Sequence, residues 1–271
     1  MSSVVVITDS STCLPPDRLA HLEVAVVPIM VHLPEGDCAD GSDELADRAY
    51  AALSQELPVT SSPPSAADYL AAVERTARSG RAPVIVTPAA EFTPMLRNAL
   101  AAAGLASVPV SVVDSRTAAA GLALVVLRGA EAAAGGAVQA TVVEEVERAA
   151  SEVDLVATLA ALGPLRRSGK IPPALGTGAP PPRHTVFRMS QGTVESLGQV
   201  EGFEAALDWV AEEWRHAGGS ALSETAVFHA AYAAAAASLR DRLGPVAFTS
   251  GFSAAMGVHT GPGVVGAAWL P

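Results

Sequence analysis

Short apolar runs alternate with longer amphipathic stretches through the first 150 or so residues, and this alternation predicts strands and helices in turn. Val4–Thr8 is rich in β-branched residues and ends at a polar loop, Asp9-Ser10-Ser11-Thr12. Further extended segments are predicted at Val24–Leu33, Pro83–Thr87 and Val108–Val113. Hydroxyl residues that can cap helices stand at Ser42, Ser65, Thr93 and Thr141. Strands and helices at this spacing favour a parallel sheet with helices on both faces.

The remainder of the chain has a different pattern. Gln191-Gly192 separates two extended runs and predicts a β-hairpin. A helix over Phe203–Ala217 follows, and then predicted strands at Thr225–His229, Pro245–Thr249 and Val264–Trp269. We therefore expect an α/β protein of two domains. Residues 1–152 would form the parallel domain, and residues 153–271, starting with a strand at Asp154–Leu159, an α+β domain with a mainly antiparallel sheet.

Composition narrows the class of protein. The 271 residues suit two modest domains, and the 50% hydrophobic content allows a sizeable core. The net charge of −11 argues against binding to nucleic acid or to an anionic membrane surface. The longest apolar run, Ala118–Leu127, has about half of the roughly 20 residues that a membrane span needs. Without a secretory signal pattern at the start, the sequence predicts a cytoplasmic protein with no integral membrane association.

Metal and cofactor chemistry has little support in the sequence. Two cysteines, Cys13 and Cys38, show no metal-ligand spacing, and the six histidines form no His-x-x-His pair. The chain has no Walker loop, no Gly-x-Gly-x-x-Gly after the first strand and no Gly-x-Ser-x-Gly elbow. We therefore expect no metal and no cofactor.

Polar residues that follow strands and open helices are candidates for binding an anion. Ligands of open parallel sheets bind at the carboxyl ends of the strands. Thr60-Ser61-Ser62 offers three hydroxyls in a loop stiffened by prolines, and Thr93 with Pro94 opens a helix whose free N–H groups attract anions. The alternative is that these residues only cap their own helices and loops, as we also expect for Asp9 and Asp114.

Two further segments carry candidate chemistry. In His259-Thr260-Gly261-Pro262-Gly263, glycines on either side of a proline predict a turn from which a histidine and a threonine project. It could equally be an ordinary tight turn before the last strand. Arg166-Arg167-Ser168-Gly169-Lys170 gathers three cations in a loop of an acidic protein. It could equally be a solvated charge cluster.

Taken together, these segments resemble the DegV family in order and spacing across essentially the whole chain. The matching segments are Thr8-Asp9-Ser10-Ser11-Thr12, Val59–Ser65 against a Thr-Ser-x-Pro-Ser segment, Val113-Asp114-Ser115 with Gly121, Leu162–Ile171 against a Gly-Arg-Ile loop, and His259–Gly263. The resemblance implies a two-domain protein that buries a long-chain fatty acid in a tunnel. It also implies presentation of that fatty acid to a separate fatty acid kinase, so that the protein itself is not an enzyme.

The resemblance further implies which residues lie at the carboxylate. Carried over by position, they are Thr60 with its neighbour Ser61, Thr93 with Pro94, Lys170 and His259. Two of these depart from the family pattern. A glycine becomes Pro94, which donates no N–H, and an arginine becomes Lys170, which lacks the bidentate fork.

Two other classes of function remain open from the residues. One is a hydrolase or transferase acting on an acyl or phosphoryl substrate, with His259 as base and Ser10 or Thr60 nearby. The other is a carrier for another small anion, such as a phosphorylated metabolite.

Overall fold

The computed structural model describes residues 3–159 and 183–271. Strands in these ranges are β1 (Val4–Asp9), β2 (Ala25–Val27), β3 (Met30–Leu33), β4 (Gly36–Ala39), β5 (Thr60–Ser62), β6 (Ala82–Thr87), β7 (Ser111–Asp114), β8 (Asp154–Leu159), β9 (Arg183–Ser190), β10 (Thr193–Glu201), β11 (Glu224–His229), β12 (Phe248–Gly251) and β13 (Val265–Leu270). Helices are α1 (Pro16–Leu22), α2 (Asp43–Ser54), α3 (Ala66–Arg78), α4 (Met95–Leu105), α5 (Ala119–Ala134), α6 (Gln139–Glu152), α7 (Phe203–His216), α8 (Ala233–Leu243) and α9 (Ala254–Thr260).

The predicted parallel sheet is confirmed, with strand order β2-β1-β6-β7 and parallel pairing throughout. Every residue of β1 is buried, because side chains of alternating direction meet helices on both faces of the sheet. Val5 and Ile7 pack with α3 and α4, whereas Val4 and Val6 pack with α5 and α6. Burial on both faces explains why the strand reads as a continuous apolar run.

The mainly antiparallel second sheet is also confirmed, with strand order β10-β9-β8-β13-β11-β12 and a parallel β11–β12 pair at one edge. The predicted hairpin joins β9 to β10. Its two turn residues have positive φ, 52° at Gln191 and 76° at Gly192, as a type I′ turn requires. Helices α7 and α8 cover one face of this sheet, and α5 packs on the other.

Helix α5 lies between the two sheets, which accounts for its composition. Twelve of its residues are buried, and it contacts β1 on one side and β11 and β13 on the other. A helix that is apolar on all sides needs such a buried position. Among the described residues, no helix is both long and apolar enough to cross a membrane. The shared core joins residues from both predicted domains, and the boundary between 152 and 153 stays a prediction.

A small antiparallel sheet, β4-β3-β5, corrects two sequence predictions. The stretch Val24–Leu33 was expected to be one extended segment, but β2 joins the parallel sheet and β3 joins the small one. The segment around Thr60–Ser62 was expected to be a loop, but β5 pairs with β3. Prolines on either side hold this segment extended, and the free edge of β3 supplies partners for its backbone.

Helix α9 was not predicted. Its side chains Ala254, Ala255 and Val258 pack with α2 and the small sheet in a separate core. This helix therefore attaches the small sheet to the C-terminal part of the chain. A helix of seven residues is too short to show a hydrophobic period in the sequence, and the glycines that follow it indicate a turn.

Candidate functional site

A cavity of about 1170 Å³ lies where the two large sheets, the small sheet and α9 approach one another. The second sheet contributes apolar wall residues, among them Leu155, Leu159, Phe187, Met189, Val194 and Phe228. Phe228 stacks against Phe252, with ring centroids 5.5 Å apart. Hydroxyl and imidazole side chains line another part of the wall, from β5, the start of α4 and the end of α9. The cavity therefore suits a ligand with a long apolar part and a small polar group.

The wall is more aromatic than the sequence suggested. A content of 4% aromatic residues is compatible with an aliphatic tunnel. Phe92, Phe187, Phe228 and Phe252 nevertheless line the cavity. Single phenylalanines in separate elements share no motif, and the fold alone brings them together.

Ser61 and His259 meet across the cavity wall. The Ser61 Oγ and His259 Nε2 lie 2.9 Å apart. Ser61 is paired in register with the fully buried Val31, whereas both of its neighbours in β5, Thr60 and Ser62, are exposed. Because side chains alternate along a strand, Ser61 faces inward toward α9 and its neighbours face the other way.

His259 was predicted to project from a turn, and this is wrong in part. His259 and Thr260 are the last two residues of α9, and the turn is confined to Gly261–Gly263. Gly261 and Gly263 have φ of 68° and 99°, which explains the requirement for glycine at both positions. The Thr260 Oγ1 donates to the carbonyl of Met256, 3.3 Å away, so its hydroxyl serves the helix end.

Thr93 was predicted to cap its helix, which is also wrong. Helix α4 begins one residue later, with Pro94 in the capping position and no side-chain cap. The Thr93 Oγ1 is buried in the cavity wall and has no hydrogen-bond partner within the described residues. A buried hydroxyl without a partner is costly, and a bound ligand can supply the missing bond. The Asn98 side-chain amide, 2.8 Å from the Pro64 carbonyl, ties α4 to the segment that follows β5.

Of the three remaining predicted site residues, two lie at the cavity and one lies outside the described residues. Thr60 and Pro94 both line the cavity, and Thr60 is largely exposed there. Lys170, together with the rest of the predicted cationic loop, lies outside the described residues. The structure thus brings Thr60, Ser61, Thr93, Pro94 and His259 to one cavity.

Asp9 and Asp114 end β1 and β7 and accept hydrogen bonds from the segments that follow, as expected for loop and cap residues, and Asp114 also accepts from the N–H of Ala90 at 3.3 Å. Asp9 accepts from the backbone N–H of Ser11, 2.9 Å away, and caps the short 3₁₀ turn after β1. Burial raises the pKa of Asp9 to about 6, against the lowering effect of the Ser11 hydrogen bonds. Asp114 accepts from the N–H of Arg116 at 2.9 Å.

A second serine–histidine pair lies on the exposed face of the small sheet. The Ser62 Oγ is 2.7 Å from His32 Nε2, and His32 Nδ1 is 2.7 Å from Asp37 Oδ1. This is the hydrogen-bond order of a catalytic triad. The residue after Ser62 is Pro63, however, which has no N–H to contribute to an oxyanion hole. The arrangement therefore lacks a donor that such hydrolases commonly use.

Two further observations bear on enzyme and metal chemistry. Ser10, a possible partner for His259 in a hydrolase, is buried and accepts from the backbone N–H of Ile29 at 3.1 Å. No group of three or more potential metal ligands occurs in the part of the chain that the structure describes.

Comparison with known proteins gives a consistent family match. The sequence model of the family described as "Uncharacterised protein, DegV family" matches residues 3–271. A DegV domain-containing protein of Streptomyces coelicolor is 30% identical over 272 residues, which cover 97% of this chain and 96% of the relative.

Solved structures agree with this match. "Fatty Acid Binding of a DegV family Protein from Thermus thermophilus" describes a structure that is similar with a TM-score of 0.91, 25% identity and full coverage of both chains. A Thermotoga maritima protein, whose structure is described as revealing fatty acid binding function, has a TM-score of 0.87 at 18% identity, covering 100% of this chain and 99% of that one. The latter likeness shows the fold.

Proposed function

Because this chain belongs to the DegV family, we propose that it binds a long-chain fatty acid in the cavity between its sheets. The observation that carries this proposal is a largely apolar cavity of about 1170 Å³ with hydroxyl and imidazole groups on its wall. The Thermus thermophilus relative, which is described as fatty acid binding, supports the same class of ligand.

The hydrocarbon chain supplies most of the affinity. Burial of a methylene group gains roughly 0.8 kcal/mol, so a chain of about sixteen carbons gains on the order of 10 kcal/mol before ordering costs. Wall residues such as Leu155, Phe187 and Met189 offer apolar surface for this burial. A phosphorylated metabolite would leave that surface uncovered, which makes a small polar anion the poorer fit.

The carboxylate is held by Ser61, Thr93 and His259. A buried carboxylate is costly unless hydrogen-bonded. In the bound state the carboxylate takes the place of the hydrogen bond between Ser61 and His259, so that two hydroxyls and an imidazole N–H donate to it. The partnerless Thr93 Oγ1 gains an acceptor when the ligand binds. Pro94 contributes wall surface without an N–H, and Lys170 remains the proposed cationic member of the set.

Ser61 is favoured over Thr60 as the direct contact. Thr60 is largely exposed, whereas Ser61 is half-buried and faces His259. The sequence pattern is compatible with Ser61, in place of Thr60, as the residue that contacts the carboxylate. Aligned on its Pro-Ser end, the Thr-Ser-x-Pro-Ser segment corresponds to Ser61-Ser62-Pro63-Pro64-Ser65, where Ser65 caps α3. Thr60 then borders the site without holding the carboxylate.

The protein acts as a carrier and not as a catalyst. It presents the bound fatty acid to a separate fatty acid kinase, as the family resemblance implies, and needs no cofactor for this role. The missing oxyanion donor after Ser62 and the engagement of Ser10 with Ile29 weigh against a hydrolase.

Mass spectrometry of lipid extracted from protein purified from lipid-replete cells tests the proposal. We expect a long-chain fatty acid at about one molecule per protein. Loss of that lipid from the Ser61→Ala, Thr93→Val double variant, with retention in Ser62→Ala, supports the head-group assignment. Purified protein without fatty acid, which also fails to take up added fatty acid, would refute the proposed function.

A further inference from the structure

We infer that Asn98 is a positioning residue, which sets the spacing between Thr93 and Ser61 and so favours a carboxylate over a neutral head group. The Asn98 Nδ2 donates to the carbonyl of Pro64 at 2.8 Å, across 34 residues of the chain. Neither residue of this hydrogen bond is among those that line the cavity. The inference rests on the proposed function, because it concerns the head group of the same ligand.

Asn98 is joined to Thr93 by a short and stiff stretch of backbone. It is the fourth residue of α4, and its N–H donates to the carbonyl of Pro94 at 3.0 Å. Pro94 directly follows Thr93, and its ring fixes its φ. A shift of the start of α4 therefore moves Asn98 and Thr93 together.

Pro64 is joined to Ser61 in a similar way. Two prolines with fixed φ follow the end of β5 at Ser62. The next residue, Ser65, is held by a capping box at the start of α3: its N–H donates to the Asp68 carboxylate at 2.8 Å, and its hydroxyl accepts from the N–H of Asp68 at 3.3 Å. The Pro64 carbonyl thus has a fixed position relative to Ser61.

The hydrogen bond between Asn98 and Pro64 connects parts of two different sheets. Helix α4 follows β6 of the parallel sheet, whereas Pro64 follows β5 of the small sheet. Pro64 is buried, and a carbonyl group left without a partner there would be costly. Asparagine has a lower helix propensity than alanine, so the helix itself does not require it at this position.

The spacing of the two hydroxyls matters most for a ligand with two acceptor oxygens. A carboxylate can accept from Ser61 and Thr93 together, and hydrogen bonds to a charged group are the stronger ones. A fatty alcohol has one uncharged oxygen and needs only one of the two donors. Because hydrogen bonds weaken with poor geometry, a change in spacing should weaken binding of the acid more than binding of the alcohol.

The test compares palmitate with 1-hexadecanol, which has a hydrocarbon chain of the same length. Asn98→Ala and Asn98→Leu both remove the donor; alanine favours the helix, and leucine keeps the branched shape of asparagine. The control is Leu100→Ala, because Leu100 lies on the same helix, is 53% exposed and does not line the cavity. Competition with cis-parinaric acid, a fluorescent fatty acid, gives the Kd of both ligands.

The wild-type protein should bind palmitate more tightly than 1-hexadecanol. In both Asn98 variants we expect the Kd for palmitate to rise about three- to tenfold, and the Kd for 1-hexadecanol to change by less than about twofold. Leu100→Ala should keep the wild-type ratio. In a protein that already carries Ser61→Ala, Asn98→Ala should have a smaller effect on palmitate, because only one of the two hydroxyls remains.

An equal rise in Kd for the two ligands would overturn the inference, because it indicates a purely structural role. An unchanged ratio of the two Kd values in both Asn98 variants would overturn it as well, while a wild-type preference for palmitate would leave the proposed function intact. A wild-type protein that binds neither ligand would refute the proposed function and this inference together.

Discussion

Ser61 and His259 lie 198 residues apart in the chain, yet the Ser61 Oγ is 2.9 Å from the His259 Nε2. One side chain belongs to a strand of the small sheet, and the other to the last turn of α9. The hydrogen bond thus closes the cavity wall between elements from the two ends of the sequence.

Removal of the Ser61 hydroxyl should weaken fatty acid binding. In Ser61→Ala we expect an affinity about tenfold lower, because a hydrogen bond to a charged group is lost. Titration with cis-parinaric acid measures the change. Thr60→Val and Ser62→Ala alter the neighbouring residues, which face away from His259, and each should change the affinity by less than about twofold. Equal losses in Thr60→Val and Ser61→Ala would contradict the assignment of Ser61.

Thr93→Val should lower the affinity for fatty acid without lowering the stability of the protein. Valine has the shape of threonine without the partnerless hydroxyl, so the free energy of unfolding should stay the same or rise by about 1 kcal/mol in the ligand-free protein. Affinity for fatty acid should fall about tenfold, since one donor to the carboxylate is lost. Urea denaturation and ligand titration measure the two effects. Thr93→Ser, which keeps the hydroxyl, should retain the affinity, and its failure to do so would contradict the role of that group.

A larger side chain in the cavity should lower the affinity for long fatty acids more than the affinity for short ones. Met189 lies on the wall formed by the second sheet, and tryptophan in its place would occupy space otherwise open to the hydrocarbon. We expect Met189→Trp to reduce the affinity for stearate more strongly than the affinity for decanoate. Competition against cis-parinaric acid gives both values. An equal reduction for the two acids would indicate that this wall does not contact the chain.

Asp9 should make stability depend on pH in a specific direction. Burial raises its pKa from the ordinary value of 3.8 to about 6, so protonated Asp9 favours the folded state. The stability it contributes is fully present below 3.8 and is lost as the pH rises through about 6. Asp9→Asn should therefore gain up to about 3 kcal/mol over the wild type near neutral pH.

The gain in Asp9→Asn should shrink toward zero near pH 4, where wild-type Asp9 becomes protonated. Urea denaturation of both proteins at the two pH values isolates this group from the other carboxylates. A difference between them that does not vary with pH would show that the pKa of Asp9 is the same in the folded and the unfolded protein, and would contradict the raised pKa.

The layers of the fold could be predicted from the sequence, because their signals are local. Val4–Ile7 is apolar throughout because the strand is buried on both faces, and Gly192 readily adopts the positive φ that its turn requires. The small sheet could not be predicted in the same way. Its strands are three or four residues long, and β5 forms only because the edge of β3 is available to pair with it.

The sequence predicts which segments form the site, but not which side chain of each segment makes the contact. Both Thr60 and Ser61 line the cavity, but the register between β5 and β3 decides which of the two faces His259, and a shift of one residue reverses the answer.

A crystal structure of the protein with stearate tests the central claim most directly. The account predicts elongated density along Leu155, Phe187 and Met189, with the carboxylate within about 3 Å of Ser61 Oγ, Thr93 Oγ1 and His259 Nε2. Density for the ligand outside this cavity, or a carboxylate placed away from all three atoms, would contradict it.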